Sequence, residues 1–156
     1  MRLRYFSFFN AKRLYLTCSI LMICFSEYAL SDSNQTTLTV DVTGARTNQG
    51  QVIMSVFDSE STHLKVPKMS QVITLSNSGK ARFIVTDLDF GRYSISVIHD
   101  ENNNGELDTN FLGIPSEWVG SSNNVKSMFG PPSFEESAFE LSAPKNITLK
   151  LRSVLD

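Results

Sequence analysis

Apolar side chains recur at every second position in several short runs, and this alternation restricts the fold more than any other feature of the chain. The run 37–42, TLTVDV, alternates threonine or aspartate with leucine or valine, as in a β-strand with one buried face. Further apolar runs predict strands at 51–57, 71–75, 81–85, 93–98, 138–141 and 147–151, and Pro67 limits any helix within 59–69. We therefore predict an all-β domain, an antiparallel β-sandwich of about seven strands.

The segment 87–93, DLDFGRY, leads into the fifth predicted strand and carries a further indication of the fold. A glycine at a turn followed by a strand tyrosine occurs in immunoglobulin-like and transthyretin-like sandwiches. Gly91 would supply the turn, and Tyr93 would be either a tyrosine corner bonded to nearby backbone or an ordinary half-buried strand residue. Alternation and side-chain size place seven residues in the core: Val40, Val56, Phe83, Ile95, Val97, Phe139 and Leu149.

The first 31 residues have the composition of a secretory signal peptide. Residues 1–13 contain four basic residues and no acidic residue, residues 14–25 are apolar, and the small residues Ala29 and Ser31 precede a cleavage point. Twelve apolar residues span only about 18 Å as a helix, less than the roughly 30 Å core of a bilayer. Lipid attachment at Cys24 is disfavoured by the bulky residue before it. We therefore expect cleavage, one domain over 32–156 in the periplasm or outside the cell, and no stable membrane anchor.

The charge and the cysteine count of the expected mature chain exclude several classes of protein. The full chain has 14 basic and 16 acidic residues, and removal of residues 1–31 leaves ten basic and fifteen acidic ones, hence a net charge of −5. This balance lacks the basic surface expected of a nucleic-acid-binding protein. Both cysteines, Cys18 and Cys24, lie in the predicted leader, so disulfides cannot stabilise the domain. With only His63 and His99 as histidines, a structural zinc site is disfavoured.

Between residues 100 and 133 the strand pattern stops, and the sequence becomes rich in asparagine, serine, glycine and proline. Connections in compact domains have a median length of about 4–6 residues, so a loop of this length is either disordered or functional. The density of recognisable motifs within 100–133 favours one long ordered loop that carries the site.

The run 100–108, DENNNGELD, is the segment with the clearest chemical meaning. It matches D-x-[DN]-x-[DN]-G, the first half of an EF-hand calcium loop. Alternate residues of such a turn direct oxygen atoms at one centre, and the glycine permits the sharp bend. The spacing therefore predicts calcium as a cofactor. Side-chain oxygens would come from Asp100, Asn102 and Asn104. Glu106 would supply its backbone carbonyl, and Asp108 would supply a carboxylate directly or through water.

Two departures from the EF-hand pattern weaken this candidate calcium site. Phe111 occupies the twelfth position, where EF-hands place a bidentate glutamate, and a strand rather than a helix precedes the loop. The missing ligand would have to come from elsewhere in the chain, with Asp108 and Glu117 as candidates, or from water, and the dissociation constant should be about 10⁻⁴–10⁻³ M. The alternative is an asparagine- and glycine-rich turn closed by hydrogen bonds from Asx side chains. Both interpretations stay open at this point.

His99 and Trp118 are further candidates for contacts with a ligand. Ser121, His99 and Asp100 could be written as a catalytic triad, but no G-x-S-x-G elbow supports it. A histidine at the end of a strand is more commonly a hydrogen-bonded structural residue. Trp118 lies in the polar loop, either as a stacking platform for a ligand or as a plug that packs the loop onto the sandwich. The plug is the favoured interpretation.

A set of short motifs runs through the stretch 91–134: Gly91-Arg92-Tyr93, His99-Asp100-Glu101-Asn102, Asn104-Gly105, Leu107-Asp108, Gly113-Ile114-Pro115, Glu117, Gly120, Ser122-Asn123, Pro132 and Phe134. In these residues the chain resembles the bacterial family called domain of unknown function 2141. The resemblance implies a small exported β-sandwich protein, and it implies no catalytic residue because the family has no established activity. Ser121 departs from the pattern, since members often have an aromatic residue there.

These observations favour an exported binding or structural module, a monomer, whose partner is an unknown ligand or a protein of the cell envelope. A less favoured alternative is an enzyme in which Asp100, Asp108 and Glu117 act with a bound metal on a small substrate. A carbohydrate-binding module that uses Trp118 is a second alternative. No motif in the chain identifies the ligand, the partner or the pathway.

Overall fold

The computed structural model describes residues 34–127 and 130–155, so the predicted signal peptide at 1–31 lies outside the described residues. The described residues form a short helix α1, Phe134–Ser137, a 3₁₀ turn, Ser122–Asn124, and eight strands. The strands are β1 Gln35–Thr43, β2 Gln51–Phe57, β3 Met69–Thr74, β4 Ala81–Asp89, β5 Gly91–Asp100, β6 Val119–Ser121, β7 Phe139–Leu141 and β8 Lys145–Lys150. Neither helical segment in this part of the chain has the length and apolar character needed to span a bilayer.

Two sheets enclose one apolar core, which confirms the predicted β-sandwich. One sheet has the order β4-β1-β8, and the other has the order β3-β2-β5-β6 with β7 also paired to β5. The pairing between β1 and β8 is parallel, whereas the other five pairings are antiparallel as predicted. The exception arises because the chain crosses from β7 in one sheet to β8 in the other, so no hairpin fixes the direction of β8.

The core contains the inward-facing side chains of both sheets. Alternate residues are buried throughout β1 and over 51–56 of β2, 81–85 of β4 and 95–99 of β5, as the period of two predicts. Six of the seven predicted core residues have at most 1% of their surface exposed: Val40, Val56, Phe83, Ile95, Val97 and Leu149. Phe139 is only half-buried: it packs against the core from its edge, and the Lys145 ammonium group lies 5.6 Å from the centroid of its ring.

Tyr93 forms the tyrosine corner that was one of its two predicted roles. Its ring is buried, and its hydroxyl donates a hydrogen bond to the carbonyl oxygen of Asp89 at 2.9 Å. Burial raises the pKa of the Tyr93 hydroxyl, which keeps it protonated as a donor. The bend between β4 and β5 lies at Phe90, directly before Gly91, which begins β5 and does not have a left-handed backbone. The left-handed backbone of this segment is at Asp87, with φ of 57°, where the register of β4 against β1 shifts.

The region after β5 contains regular structure that the sequence pattern did not predict. β6 has three residues, too few to show a period of two, and it is defined by pairing with β5. Helix α1 begins after Ser133, whose side chain forms a capping box with Glu136. The S-x-x-E spacing at 133–136 could therefore have predicted the start of this helix. The segment 59–68 forms turns and no helix, and β3 begins at Met69 instead of residue 71.

Candidate functional site

The acidic loop, residues 100–117, begins where β5 ends, and Asp100 is its anchor. The register of β5 with β2 places Asp100 opposite Gln51, whose Nε2 donates to Asp100 Oδ2 at 2.8 Å. The Asp100 side chain is completely buried. A buried carboxylate is costly unless its oxygens accept hydrogen bonds, so the start of the loop must supply further donors.

Backbone amides of the turn supply these donors to the Asp100 carboxylate. The N–H of Asn104 donates to Oδ1 at 3.1 Å, and the N–H of Gly105 donates to Oδ2 at 2.8 Å. Gly105 has φ of +83°, which turns the chain back toward the end of the strand. Burial alone would raise the pKa of Asp100, but hydrogen bonds from Gln51, Gly105, Asn104 and Asn103 outweigh it and lower the pKa below its ordinary value. Asp100 is therefore ionised at neutral pH.

Two asparagine side chains face the carboxylate of Asp108. Nδ2 of Asn102 donates to Asp108 Oδ2 at 2.7 Å, and Nδ2 of Asn104 donates to Asp108 Oδ1 at 3.0 Å. The Oδ1 atoms of the two asparagines accept backbone N–H groups instead, from Asn104 at 3.0 Å and from Glu106 at 2.8 Å. These are Asx hydrogen bonds, so the turn closes on itself with amide groups as the partners of Asp108.

Glu117 ties the two ends of the acidic loop together. Its Oε1 accepts the backbone N–H of Glu101 at 3.0 Å, and its Oε2 accepts the backbone N–H of Asp108 at 3.0 Å. Only 5% of the surface of Glu117 is exposed. The N–H of Ser116 also donates to the carbonyl of Asp108 at 2.9 Å. The candidate site is therefore a closed unit that includes Glu117, a residue nine positions beyond the motif.

The structure brings five of the six predicted calcium ligands into one hydrogen-bonded cluster: Asp100, Asn102, Asn104, Asp108 and Glu117. Glu106 contributes its backbone N–H to this cluster, and its side chain is exposed. Within the described residues, no group of three or more carboxylate, imidazole or thiol side chains is arranged to hold a metal. A cation at this loop would therefore need amide and backbone oxygens in addition to carboxylates.

His99 and Trp118 lie beneath the acidic loop. His99 is completely buried, its Nε2 is 2.9 Å from the carbonyl oxygen of Gln49, and its backbone N–H donates to the carbonyl of Trp118 at 2.8 Å. Trp118 is half-buried and packs against the core. Glu101 lies 3.6 Å from His99 Nδ1 and forms an ion pair with Arg46 at 2.6 Å. These contacts attach the loop to the sandwich. That His99 and Trp118 contact a ligand stays a prediction.

A groove of about 840 Å³, here called the sheet groove, lies over the outer face of the five-stranded sheet. The strand register aligns three serines across its floor, with Ser55 opposite Ser96 and Ser96 opposite Ser121. Two residues further along the strands, Ile98 and Val119 lie opposite each other. Residues two apart on a strand share a face, so a row of hydroxyl groups and a row of aliphatic side chains run side by side.

Segments that are distant in the sequence form the walls of the sheet groove. The acidic loop contributes Leu107, Ile114 and Pro115, and the connection between β2 and β3 contributes Leu64 and Pro67. The loop that carries the carboxylate cluster is therefore also part of a ligand-sized cavity. Sequence reasoning missed the groove, because no local pattern marks residues that come together only through the sheet register.

A family model described as an uncharacterized protein conserved in bacteria, DUF2141, matches residues 40–149. This range extends from β1 into β8 and includes the whole acidic loop. It confirms the resemblance drawn from the motifs of 91–134. No curated protein and no solved structure matches the chain. The chain belongs to the DUF2141 family of uncharacterised bacterial proteins.

Proposed function

We propose that this chain is an exported binding module in which a weak calcium site in the acidic loop holds one wall of the sheet groove. One observation carries the proposal: the same loop contains the cluster around Asp100 and lines the groove with Leu107, Ile114 and Pro115. A wall that is ordered before the ligand arrives reduces the entropic cost of binding. Calcium would therefore adjust the affinity of the groove without deciding whether the domain folds.

The charges of the acidic loop support a cation site of modest affinity. Asp100, Asp108 and Glu117 belong to one hydrogen-bonded unit, and the groups that bond to their carboxylates are neutral N–H groups. A divalent cation bound by carboxylate, amide and backbone oxygens of the loop would add favourable charge interactions with these carboxylates. The terminal torsion of asparagine is soft, so half a turn of the Asn102 and Asn104 amides would present oxygen toward Asp108. That rotation would give up existing hydrogen bonds between the asparagines and their present partners, so we expect the binding of calcium to be weak.

The substitution Asn104→Asp distinguishes between the two interpretations of the acidic loop, a calcium site and a hydrogen-bonded turn. Without calcium the new carboxylate faces Asp108, and repulsion should lower the melting temperature by several degrees. In millimolar calcium the variant should recover at least the wild-type melting temperature, because it adds a charged ligand. Thermal melts in calcium and in chelator measure both effects.

Asn103→Asp is the matched control, since it adds the same charge at an exposed neighbouring position outside the proposed ligand set. Its response to calcium should not exceed that of the wild type. If Asn104→Asp is destabilised equally in calcium and in chelator, the acidic loop is a hydrogen-bonded turn and the calcium proposal is wrong.

Export is part of the proposal and rests on the basic, apolar and small-residue order of residues 1–31. Mass spectrometry of protein recovered from the cell envelope or the medium should find an N-terminus near Asp32 and no acyl group. Detection of an intact Met1, or of a lipid on Cys24, would contradict this expectation.

A further inference from the structure

We infer that the sheet groove binds an amphipathic single-chain anion, of the class of free long-chain carboxylates. This inference rests on the proposed function, because it takes the groove to be a ligand site and adds the class of ligand. Basic side chains of the lining would hold the charged end, and the aliphatic row of the floor would contact the chain. Two independent features of the lining, its charge and its apolar surface, lead to this class.

The charges of the groove lining differ from those of the rest of the domain. The described residues contain thirteen acidic and ten basic side chains, yet no aspartate or glutamate is among the described residues that line the groove. None of the basic lining residues forms an ion pair with another described residue. A cleft lined by charge of one sign attracts and retains ligands of the opposite sign. The four basic lining residues are Lys65, Lys126, Lys150 and Arg152.

The floor and walls of the groove provide a surface for an aliphatic chain. Ile98 and Val119 form the apolar row of the floor, and Leu107, Ile114 and Pro115 extend that surface onto the wall. The adjacent serine row offers hydroxyl groups to the polar end of a ligand. The volume of about 840 Å³ falls within the roughly 300–1,000 Å³ typical of small-molecule sites. A mostly apolar lining with a few polar groups is the usual composition of such sites.

Other occupants fit the lining less well. The apolar segment 14–25 of this chain follows a stretch with four basic residues and no acidic one, so the lysines of the groove would repel it. A neutral sugar would bring no negative charge to the four basic side chains. A small inorganic anion would leave the apolar surface exposed to water. An amphipathic carboxylate uses both parts of the lining.

Calorimetric titration with dodecanoate, kept below its micellar concentration, tests the inference. The wild-type protein should bind one dodecanoate saturably. The double variant Lys126→Glu/Lys150→Glu should bind at least tenfold more weakly, because it places repulsive charges in the lining. The matched control Lys80→Glu/Lys145→Glu has the same net charge but lies outside the lining, and its affinity should change less than twofold.

Two further probes on the wild-type protein separate the contributions of charge and chain. Acetate carries the charge alone and dodecyl maltoside carries a neutral chain, and each should bind at least tenfold more weakly than dodecanoate. Equal losses in both double variants, equally tight binding of dodecyl maltoside, or no dodecanoate binding would overturn the inference.

Calcium-dependent melting is recorded separately, on the same protein preparations without dodecanoate. Loss of dodecanoate binding with an intact calcium response contradicts only this inference, and the converse result contradicts only the calcium proposal.

Discussion

Replacing Phe83 with alanine should lower the free energy of unfolding by about 3–5 kcal/mol, the cost of emptying a fully buried aromatic site. Phe83 lies in β4 opposite Val40 of β1, and none of its surface is exposed. A close-packed interior relaxes only partly around a cavity, so the lost contacts are not recovered. Urea unfolding followed by the fluorescence of Trp118, the one tryptophan of the chain, measures the change.

Ile84→Ala is the control for this measurement. Ile84 follows Phe83 in β4, points to the opposite face and has 57% of its surface exposed. Its replacement should cost less than about 0.5 kcal/mol. A loss below about 1 kcal/mol for Phe83→Ala, or equal losses at the two positions, would contradict the assignment of Phe83 to the core.

The second large effect is expected for Gly50→Ala, at the base of the acidic loop. Gly50 has φ of +84°, and a Cβ atom at this position would lie 2.3 Å from the carbonyl oxygen of Asp100 and 2.7 Å from Cα of Glu101. The left-handed backbone and the clash together should cost about 2–5 kcal/mol. The strand end must also move, so the acidic loop should become more sensitive to protease. Urea unfolding and limited proteolysis measure the two effects.

Gly113→Ala provides the comparison, since Gly113 has φ of +75° and a Cβ atom at this position would meet no other atom within 4 Å. Its replacement should cost only the conformational strain, about 1–2 kcal/mol. The difference between the two alanine variants isolates the steric contact of Gly50 with β5. Equal destabilisation by the two substitutions would contradict the expected clash between a Cβ atom at position 50 and the backbone of Asp100 and Glu101.

The strands that could be predicted from the sequence are those whose burial repeats within a few residues. In β1 and β4 the buried positions alternate without interruption near Val40 and Phe83, so local pattern and tertiary packing agree. β6 could not be found in this way, because Val119–Ser121 becomes a strand only by pairing with β5. The direction of β8 was missed for the same reason, since it depends on which sheet the chain enters after β7.

The sequence indicated which side chains of the acidic loop lie near one another, but it did not indicate their hydrogen bonds. The spacing of Asp100, Asn102, Asn104 and Asp108 indicated a tight turn with inward-directed side chains, and these side chains share one hydrogen-bonded cluster, whereas their role as calcium ligands stays a prediction. The orientation of the asparagine amides depends on which backbone N–H groups their oxygens meet, and spacing does not encode this. The same limitation applies to Glu117, which the sequence offered only as one of two candidates for a missing carboxylate.

The sheet groove had no sequence signal of its own. Ser55, Ser96 and Ser121 are separated by 41 and 25 positions, and they form a row only because β2, β5 and β6 pair in one register. Lys65 and Lys150 likewise both join the lining although they are 85 positions apart in the sequence. Features that depend on the register of long-range strand pairing therefore emerge only from the structure.

A calorimetric titration of the wild-type protein with calcium tests most directly whether the acidic loop is an ion-dependent support of the groove. We predict one site with a Kd of about 10⁻⁴–10⁻³ M. At a calcium concentration ten times the Kd, mass action should stabilise the folded state by about 1.4 kcal/mol. Magnesium at the same concentration is the ionic control, because it requires stricter octahedral geometry and should give a smaller response.

Two variants make the result of this titration specific to the acidic loop. Asp100→Ala removes the buried anchor and should abolish both the heat and the stabilisation. Glu101→Ala removes a neighbouring charge that pairs with Arg46 and lies outside the proposed ligand set, and it should retain both. The contradicting result is a wild-type protein that shows neither heat nor calcium-dependent stabilisation, which would leave the acidic loop as a turn closed by its own asparagines.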